Sequence, residues 1–310
     1  MSYGAHSYDA DPRNETILVS VNGDHVPRDK AVVSVLDSNF MLGDGVWEGL
    51  RLKDGRIPFL TQHLSRLYGG ARVLDFDNMP PPEVLRGMIF DVLDANDMTD
   101  GVHIRLMVSR GIRATPYQDP RVTVTPPTIV IIPEYKAAAQ NNAGLSLMTS
   151  TIRRTAPDAQ DQKLNSHSKL NCIQACIQAA KAGADEALML DPTGAVATCN
   201  STHFFIVRGG EVWTSTGMYC LGGITRMNVI ACCREAGIAV HEKPFSLHDV
   251  YTAEEAFVTG TFAGLTPVRE VDGRVLGPVL ATVPAVVPGP MVQRLRSLYA
   301  DMQGREAEGR

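Results

Sequence analysis

The chain has 310 residues, of which 44% are apolar and 20% charged, and a formal net charge of −5. This length allows one large or two medium domains with a substantial core, and the mildly acidic balance argues against a nucleic-acid-binding surface. No apolar run approaches the roughly 20 residues of a membrane span, so neither nucleic acid nor a membrane is an expected partner.

The N-terminal stretch MSYGAHSYDADPRNE (1–15) is polar and lacks the basic and apolar regions of a secretory signal, so we interpret it as a flexible leader. The cysteines all lie in the C-terminal half without a disulfide framework. Cys172 and Cys176 fall in the apolar pattern CIQACIQAA, which favours packing in the core over metal binding. We therefore expect a cytoplasmic protein with reduced thiols and no metal site.

The first half of the chain predicts a small α+β domain covering 1–136. ETILVSVNG and HVPRDKAVVSVLD are strand-like runs separated by the turn NGDH, and GVWEGLRLKDGRIPFL continues as a hairpin. TQHLSRLYGGARVL has apolar residues at helical spacing, and PPPEVLRGMIFDVLDAN opens with prolines suited to a helix start. GVHIRLMVSRG and PPTIVIIPEY are strands again.

The small, polar segment KAAAQNNAG predicts a domain boundary, so that a larger domain covers 137–310. Its predicted order is strand LSLMTSTIRR, loop TAPDAQDQ, helix LNCIQACIQAAKAG and strand EALMLD, followed by strands THFFIVRG and EVWTS. GITRMNVIACCREAG is a helix ended by glycine. Strands AEEAFVTGTFAG and LTPVREVDGRVL meet at a glycine-rich corner, and PMVQRLRSLYADMQ is a terminal helix.

Six sequence blocks follow one another in an order that is typical of one family: GDGVWEGLR, FLTQHLSRL, GADEALMLD, NSTHFFIV, GGITR and FVTGTFAGLTPV. The chain resembles the class IV aminotransferases, the fold-type IV pyridoxal 5'-phosphate (PLP) enzymes, over nearly its whole length. That group includes branched-chain and D-amino acid aminotransferases. The resemblance implies an α/β (α+β) fold of a small N-terminal and a larger C-terminal domain with PLP at their interface, and a homodimer.

The phosphate of PLP needs backbone donors and a cation. Ile224 and Thr225 lie just before a helix predicted to begin near Arg226, and helix N-termini offer unpaired N–H groups to anions. The resemblance implies that these two residues and the hydroxyl of Thr261 bind the phosphate. It also assigns Arg66, in HLSRL, as the phosphate-binding arginine, a residue type suited to a bidentate contact.

A PLP aminotransferase also needs a lysine that forms the resting Schiff base and shuttles the substrate proton. Aligned backward from GADEALMLD without gaps, the family's lysine falls on Asn165, which cannot form an imine. Lys169 falls where many members carry a tyrosine that touches the cofactor hydroxyl next to the aldehyde. Lys163 would reach the usual place if two loops differed in length. We predict Lys169 as a displaced Schiff-base lysine, with Lys163, or neither lysine, as alternatives.

A second departure concerns the ring of the cofactor. The resemblance places Thr198, in VATCNSTHFF, where the family has a carboxylate that pairs with the pyridine nitrogen. A hydroxyl can hydrogen-bond this nitrogen but cannot keep it protonated as a carboxylate does. We therefore expect a weaker electron sink and an atypical activity.

On the substrate side, Trp47 matches an aromatic residue that lines the family's pocket, and it equally suits a core position. Arg51, Arg105 and Arg113 are candidates for a substrate carboxylate, although a surface position suits each of them better. The predicted function is PLP-dependent transfer of an amino group between an amino acid or amine and a 2-oxo acid. A lyase or racemase on the same fold, and a pseudoenzyme that binds PLP or another phosphate-bearing ligand without imine chemistry, remain as alternatives.

Overall fold

The computed structural model describes residues 4–6, 8–137, 142–281 and 285–310. These form two compact units, each discontinuous in sequence. The N-terminal unit consists of Asp9–Ala137, Leu164–Ser168 and Glu306–Arg310. The C-terminal unit consists of the described residues of Met1–Tyr8, Ala138–Lys163 and Lys169–Arg305.

The N-terminal unit is built on an antiparallel five-stranded sheet in the order β2-β1-β6-β5-β3. Its strands are β1 (Leu18–Val21), β2 (Asp24–Pro27), β3 (Gly45–Leu52), the short β4 (Ile57–Pro58), β5 (Val102–Ser109) and β6 (Ile129–Tyr135). Its helices are α1 (Ser38–Leu42), α2 (Leu60–Val73) and α3 (Pro82–Asp94).

One face of this sheet forms the core of the unit. Alternate residues of β5, such as Ile104 and Leu106, are fully buried and share a cluster with Leu67 of α2 and Ile89 of α3. This alternation is the pattern expected of an antiparallel sheet with one covered face. β3 pairs with β5 over its full length, from Gly45–Ser109 to Leu52–Val102, so β3 is held rigidly.

The strand predicted for HVPRDKAVVSVLD ends earlier than expected, at Pro27. A short 3-10 turn follows at Arg28–Lys30, and Val32 and Val35 are 78% and 71% exposed. β2 is an edge strand whose one neighbour in the described sheet is β1, and Pro27 pairs with Leu18, the first residue of β1, so β2 ends where its partner strand begins.

The described part of the C-terminal unit forms a nine-stranded mixed sheet in the order β12-β11-β10-β13-β14-β7-β8-β9, with β15 paired to β14. The strands are β7 (Leu145–Thr149), β8 (Glu186–Leu190), β9 (Val196–Cys199), β10 (His203–Arg208), β11 (Glu211–Thr214), β12 (Val240–Glu242), β13 (Glu255–Gly260), β14 (Gly264–Val271) and β15 (Arg274–Val275). The helices are α4 (Pro157–Gln160), α5 (Leu170–Lys181), α6 (Ile224–Glu235), α7 (Leu247–Tyr251) and α8 (Pro290–Arg305).

Helix α5 follows the predicted bounds but buries a different face from the one we expect. Ala175 and Ala179 are the buried residues of this helix, whereas Cys176 is exposed and Cys172 is half-buried. The expectation that the two cysteines pack in the core is therefore wrong. The small alanines pack with Ala187 and Met189 of β8 in one cluster, and this close approach leaves the larger residues of the helix outside.

Two short segments complete the N-terminal unit from distant parts of the chain. Ser166 bridges to Val46 of β3, and β16 (Ala307–Glu308) pairs antiparallel with β4. In the ranges that the structure describes, no helix is long and apolar enough to cross a membrane.

Candidate functional site

The start of α6 provides a buried seat for an anion. The helix begins at Ile224, two residues before the predicted Arg226, with Gly223 as the N-cap. Ile224 and Thr225 are each 3% exposed and form its first turn. The N–H groups of a first turn have no partner within the helix and lie at the positive end of its dipole. Tyr299 lies on α8, and its hydroxyl is 3.4 Å from Thr225 Oγ1.

His203, at the start of β10, packs directly against this helix start. Its Nε2 donates to the carbonyl of Leu221 at 2.7 Å. A Cβ built on Gly223 would lie only 2.2 Å from the His203 ring, so position 223 admits only glycine without rearrangement. His203 is not predictable as a site residue from sequence, because a histidine that opens an apolar strand carries no signal of its own.

Thr198 lies at the end of β9, beside the start of β10. Its side chain is 4% exposed in a buried strand, and its hydroxyl donates to the carbonyl of Thr202 at 2.8 Å. Because the proton of the hydroxyl is committed to this carbonyl, Thr198 Oγ1 presents its remaining lone pairs as a hydrogen-bond acceptor.

Glu186 is a second buried group at this end of the sheet. Its carboxylate accepts hydrogen bonds from the Thr202 hydroxyl at 2.7 Å and from the N–H of Ala5 at 3.2 Å. Burial raises the pKa of Glu186 to about 7, although these hydrogen bonds act in the opposite direction. The Thr202 side chain is therefore oriented by the Glu186 carboxyl group, which carries no distinguishing pattern in the sequence.

Thr261 lies in the turn between β13 and β14, where Gly260 pairs with Gly264. Thr259, at the end of β13, pairs with His203 across the sheet and is fully buried. Within the described residues, the hydroxyl of Thr259 has no hydrogen-bond partner. A buried hydroxyl without a partner costs free energy and is a common feature of a ligand site.

Four predicted residues of the C-terminal unit are therefore brought together by a chain of contacts. Thr198 bonds to Thr202, whose Cγ2 lies 3.6 Å from the Cβ position of Gly260, the residue before Thr261. His203, next to Thr202, packs on Gly223 at the start of α6. The predicted group Thr198, Ile224, Thr225 and Thr261 thus borders one end of the β9-β10-β13 strands.

The two lysines stand on either side of the segment Leu164–Ser168, which belongs to the N-terminal unit. Lys163 is exposed, and its backbone N–H donates to the Asp161 carboxylate at 2.9 Å. Lys169 is half-buried and is the N-cap residue of α5, where its carbonyl accepts the N–H of Ile173 at 2.9 Å. The two lysines thus differ in their exposure to solvent.

Asn165 is fixed to β3 by two hydrogen bonds with Trp47. The N–H of Trp47 donates to the Asn165 carbonyl at 3.1 Å, and Asn165 Nδ2 donates to the Trp47 carbonyl at 2.5 Å. The N–H of His167 continues the pairing with a bond to the Gly45 carbonyl at 3.0 Å. Asn165 is 4% exposed, and its Oδ1 has no partner within the described part of the chain. The register of this segment is therefore tightly specified.

Arg66, on α2 of the N-terminal unit, forms a bidentate ion pair with Glu48 of β3. Its Nε and Nη2 donate to the two carboxylate oxygens at 2.8 and 2.6 Å. His63, one turn earlier on α2, contacts the same carboxylate through Nδ1 at 2.7 Å. Burial alone would raise the pKa of Glu48, but Arg66 and His63 together hold it below its usual value.

Trp47 and Arg113 occupy contrasting positions in the N-terminal unit. Trp47 is half-buried, its Nε1 donates to the Ser166 carbonyl at 3.1 Å, and the Arg105 guanidinium lies 3.8 Å from its ring centroid. Arg113 is only 1% exposed and binds Asp44 at 2.7 Å. Its Nη1 also donates to two carbonyls of the loop that follows. The surface position that we favour for Arg113 from sequence is wrong.

Fold and site together define the fold-type IV class of PLP enzymes. The sequence model of the family "Amino-transferase class IV" matches residues 45–271. A putative branched-chain-amino-acid aminotransferase of Methanocaldococcus jannaschii is 39% identical over 83% of this chain and 89% of its own length. The chain belongs to the class IV aminotransferase family and is branched-chain aminotransferase-like.

Other relatives extend this comparison. Branched-chain-amino-acid aminotransferase-like protein 2 of Arabidopsis thaliana is 38% identical over 93% of this chain but only 50% of its own length. The chain thus spans about half of that relative. The T.th. branched-chain amino acid aminotransferase, solved with N-(5'-phosphopyridoxyl)-L-glutamate, has a TM-score of 0.85 at 30% identity, and the match covers 95% of this chain and 98% of that one.

Proposed function

We propose that the chain is a PLP-dependent aminotransferase that moves an amino group between an amino acid or amine and a 2-oxo acid, with Lys169 as the lysine that attaches to the cofactor. The observation that carries this proposal is the buried anion seat at the start of α6, in the same unit as Lys169. A cytoplasmic homodimer is part of the proposal, and the exposed Val32, Val35 and Phe40 are apolar surface that a subunit interface would cover.

The residues of the seat fit a phosphate dianion. Backbone N–H groups of Ile224 and Thr225 supply donors at a helix N-terminus, and Thr225 and Thr261 add hydroxyls. Gly223 makes room for the buried His203 ring against the start of the helix. The role of Arg66 as the phosphate-binding cation stays a prediction from the resemblance. The unpartnered hydroxyl of Thr259 further supports a polar ligand at this end of the sheet.

When bound, PLP supplies an aldehyde and a conjugated ring that accepts electrons from the reacting carbon. Thr198 would meet the ring nitrogen as an acceptor, because its own proton is donated to Thr202. An acceptor stabilises a protonated nitrogen, although a neutral hydroxyl does so less strongly than a carboxylate. We therefore expect transamination to be slow rather than absent.

The local geometry favours Lys169 over Lys163. A shift that put Lys163 in the place of Asn165 would break the paired hydrogen bonds between Asn165 and Trp47 and turn alternate side chains to the opposite face. Lys169 needs no such shift. It is half-buried, whereas Lys163 is exposed. Lys169 would attach the cofactor and carry the proton at the substrate α-carbon.

Substrate binding is assigned to the N-terminal unit. The indole of Trp47 with the Arg105 guanidinium against its face presents both an apolar surface and a positive charge. Such a pair suits an amino acid with an apolar or carboxylate-bearing side chain. Arg113 would act indirectly, since its donors already hold Asp44 and the loop carbonyls.

A second candidate function is that of a pseudoenzyme that holds PLP or another phosphate-bearing ligand without covalent attachment. It is favoured by the amide of Asn165, which replaces a reactive amine and is bound to a backbone carbonyl. A lyase or racemase on the same fold uses the same seat and lysine and differs only in its products.

Borohydride reduction of the full chain with added PLP, followed by peptide mapping, tests the proposal. We expect the modified peptide to carry the cofactor on Lys169, and Lys169→Ala to abolish both this adduct and the absorbance of the attached cofactor. Lys163→Ala should keep both. Lys181→Ala is the matched control, because this exposed lysine lies at the other end of α5.

The other outcomes separate the candidates. An adduct on Lys163 would refute the assignment of Lys169, while PLP binding without any reducible adduct would favour the pseudoenzyme. Amino transfer from a donor to an added 2-oxo acid distinguishes an aminotransferase from a lyase, which releases its oxo product without aminating the acceptor.

A further inference from the structure

Residues Gly4–His6 form a short 3-10 turn, the N-terminal turn, which belongs to the C-terminal unit. Gly4 and Ala5 are buried, and Ala5 shares an apolar cluster with residues of β8 and β13. The ring of His6 stacks on that of Phe262, between β13 and β14, with the ring centroids 5.9 Å apart. These three residues are therefore packed into the unit.

The N-terminal turn covers the side chain of Glu186, which opens β8 and is 3% exposed. The N–H of Ala5 donates to Glu186 Oε1 at 3.2 Å. A Cβ on Gly4 would lie 3.0 Å from Glu186 Cγ and 2.7 Å from the Asp185 carbonyl oxygen, so the backbone at Gly4 lies directly against this strand end. Gly4 also has a φ of +65°, a conformation that other residues adopt only with strain. The contact therefore depends on glycine at position 4.

The surroundings of Glu186 disfavour its charged form. Its described partners are the N–H of Ala5 and the hydroxyls of Thr202 and Ser201, which are all neutral. Burial raises the pKa of the carboxyl group to about 7, against the effect of these hydrogen bonds. A neutral carboxyl group therefore suits the covered position better than a carboxylate.

Other titratable groups also lie around Glu186. Asp185 precedes it in the chain, and the negative charge of Asp185 raises the pKa of Glu186 further. The Cys199 thiol on β9 is neutral, because burial and the charge of Glu186 raise its pKa well above the usual value. His6 lies on the N-terminal turn itself, with its ring on Phe262. Asp185 thus adds to the preference for a neutral Glu186.

We propose that the N-terminal turn is a latch that closes over the neutral form of Glu186 and opens when this carboxyl group loses its proton. Opening admits water to the carboxylate and so stabilises the charge that the closed turn disfavours. The latch involves the C-terminal unit alone and does not depend on the proposed function.

The direction of the pH dependence follows from the two states of the latch. In the open state the pKa of Glu186 returns toward its ordinary value of 4.5, whereas in the closed state it is about 7. Between these values the closed state binds more protons than the open state. The equilibrium constant for opening therefore increases with pH, by at most about tenfold per pH unit, and levels off above a pH of about 7.

Hydrogen exchange of the full chain without added ligand, measured by mass spectrometry on the peptide that contains Gly4–His6, tests the latch. The observed rate is divided by the intrinsic rate at each pH, so that the opening equilibrium remains. We expect opening to increase about tenfold between roughly pH 5.5 and pH 8 in the wild type. In Glu186→Gln, which keeps a neutral group of the same shape, opening should change by less than about twofold over this range.

Gly4→Ala gives a second, independent test. Its methyl group would meet the Asp185 carbonyl oxygen at 2.7 Å, so the closed turn is destabilised while Glu186 is kept. We expect fast exchange at both pH values. Gly183→Ala is the matched control, because Gly183 has a similar φ of +74° but, among the described residues, nothing lies within 4 Å of its Cβ position. This control should exchange like the wild type.

Every other outcome contradicts the latch. If the wild type opened equally at both pH values, or less at the higher one, Glu186 would not control the turn. A pH dependence that persisted in Glu186→Gln would assign the change to another group, such as His6, and would also overturn the proposal. If Glu186→Gln did not fold, the two glycine variants would decide, because equal exchange in Gly4→Ala and Gly183→Ala would show that the turn does not close over Glu186.

Discussion

Glu186 is the buried carboxyl group whose protonation should be visible in the stability of the protein. Burial raises its pKa from 4.5 to about 7 in the folded chain, against the effect of the Thr202 and Ala5 hydrogen bonds. Between these two pH values the folded state binds more protons than the unfolded state. The free energy of unfolding therefore falls as the pH rises from 4.5 through 7.

The size of this effect follows from the shift of the pKa. A shift from 4.5 to about 7 corresponds to an upper limit on the order of 3 kcal/mol. We expect Glu186→Gln to lose this component, so its stability relative to the wild type should improve between roughly pH 5 and pH 8 by about 1–3 kcal/mol. Urea unfolding of both proteins across this range measures it, and parallel curves would contradict the prediction.

At the scale of residues, sequence found those that carry a spacing or a family position. Thr198, Ile224, Thr225 and Thr261 border one end of the same sheet. Glu48 and His203 could not be found in this way. Each owes its interest to a partner distant in sequence, and a single glutamate or histidine in an apolar strand has no distinguishing pattern. The predicted roles of all these site residues, and of Lys169, Lys163, Arg66, Trp47 and Arg113, stay predictions.

At the scale of elements, the contact between α6 and β10 makes a sharp prediction. Gly223→Ala places a methyl group 2.2 Å from the buried, hydrogen-bonded ring of His203, so either the ring or the helix start must move. We expect a loss of about 1–3 kcal/mol of stability and weaker PLP binding, since the helix start is displaced. Chemical denaturation and a PLP titration measure the two effects.

The adjacent glycine is a matched control for this prediction. Nothing lies within 4 Å of the Cβ position of Gly222, so Gly222→Ala should change the stability by no more than about 0.5 kcal/mol. If the two alanine variants behaved alike, the steric explanation for glycine at position 223 would be wrong.

Long elements with a clear period were predictable from sequence, and short ones were not. α2, α3, α6 and α8 appear where the apolar spacing and the proline and glycine signals place them. β9 was missed, because its four residues VATC are too few to show alternation and are buried throughout. The sequence predicts a longer β2 than the structure has, because this strand ends at Pro27, where its pairing with β1 ends.

At the scale of the whole molecule, the sequence indicates two domains. It does not indicate that short segments from later in the chain join the N-terminal unit. The division into domains of 1–136 and 137–310 stays a prediction, whereas in the structure Leu164–Ser168 and Glu306–Arg310 belong to the N-terminal unit. Such short returning segments have no periodicity, and their pairing depends on backbone groups that every residue carries. The family membership, by contrast, was predicted from the order of six blocks between residues 43 and 268, and the family model matches residues 45–271.

The C-terminal segment supplies the last prediction, because Glu308 caps α2 from the far end of the chain. α2 has no side-chain cap of its own at Phe59. Glu308 accepts the backbone N–H of Thr61 at 2.7 Å and its hydroxyl at 2.8 Å, and it also binds Arg86 at 2.8 Å. A carboxylate at a helix N-terminus satisfies an unpaired donor and interacts favourably with the helix dipole.

We therefore expect Glu308→Ala to lower the free energy of unfolding at neutral pH by about 1–2 kcal/mol. The hydrogen bonds and Arg86 hold the pKa of Glu308 below its usual value of 4.5 despite burial. Its contribution is fully present above that pH and is lost as the pH falls through the lowered pKa. Arg310→Ala is the control, because its ion pairs with Asp91 and Asp94 are 61% exposed on the arginine side and should contribute less than about 0.5 kcal/mol. Equal losses in the two variants, or a Glu308 effect that persists in acid, would show that the tail stabilises the unit through β16 pairing and not through the cap.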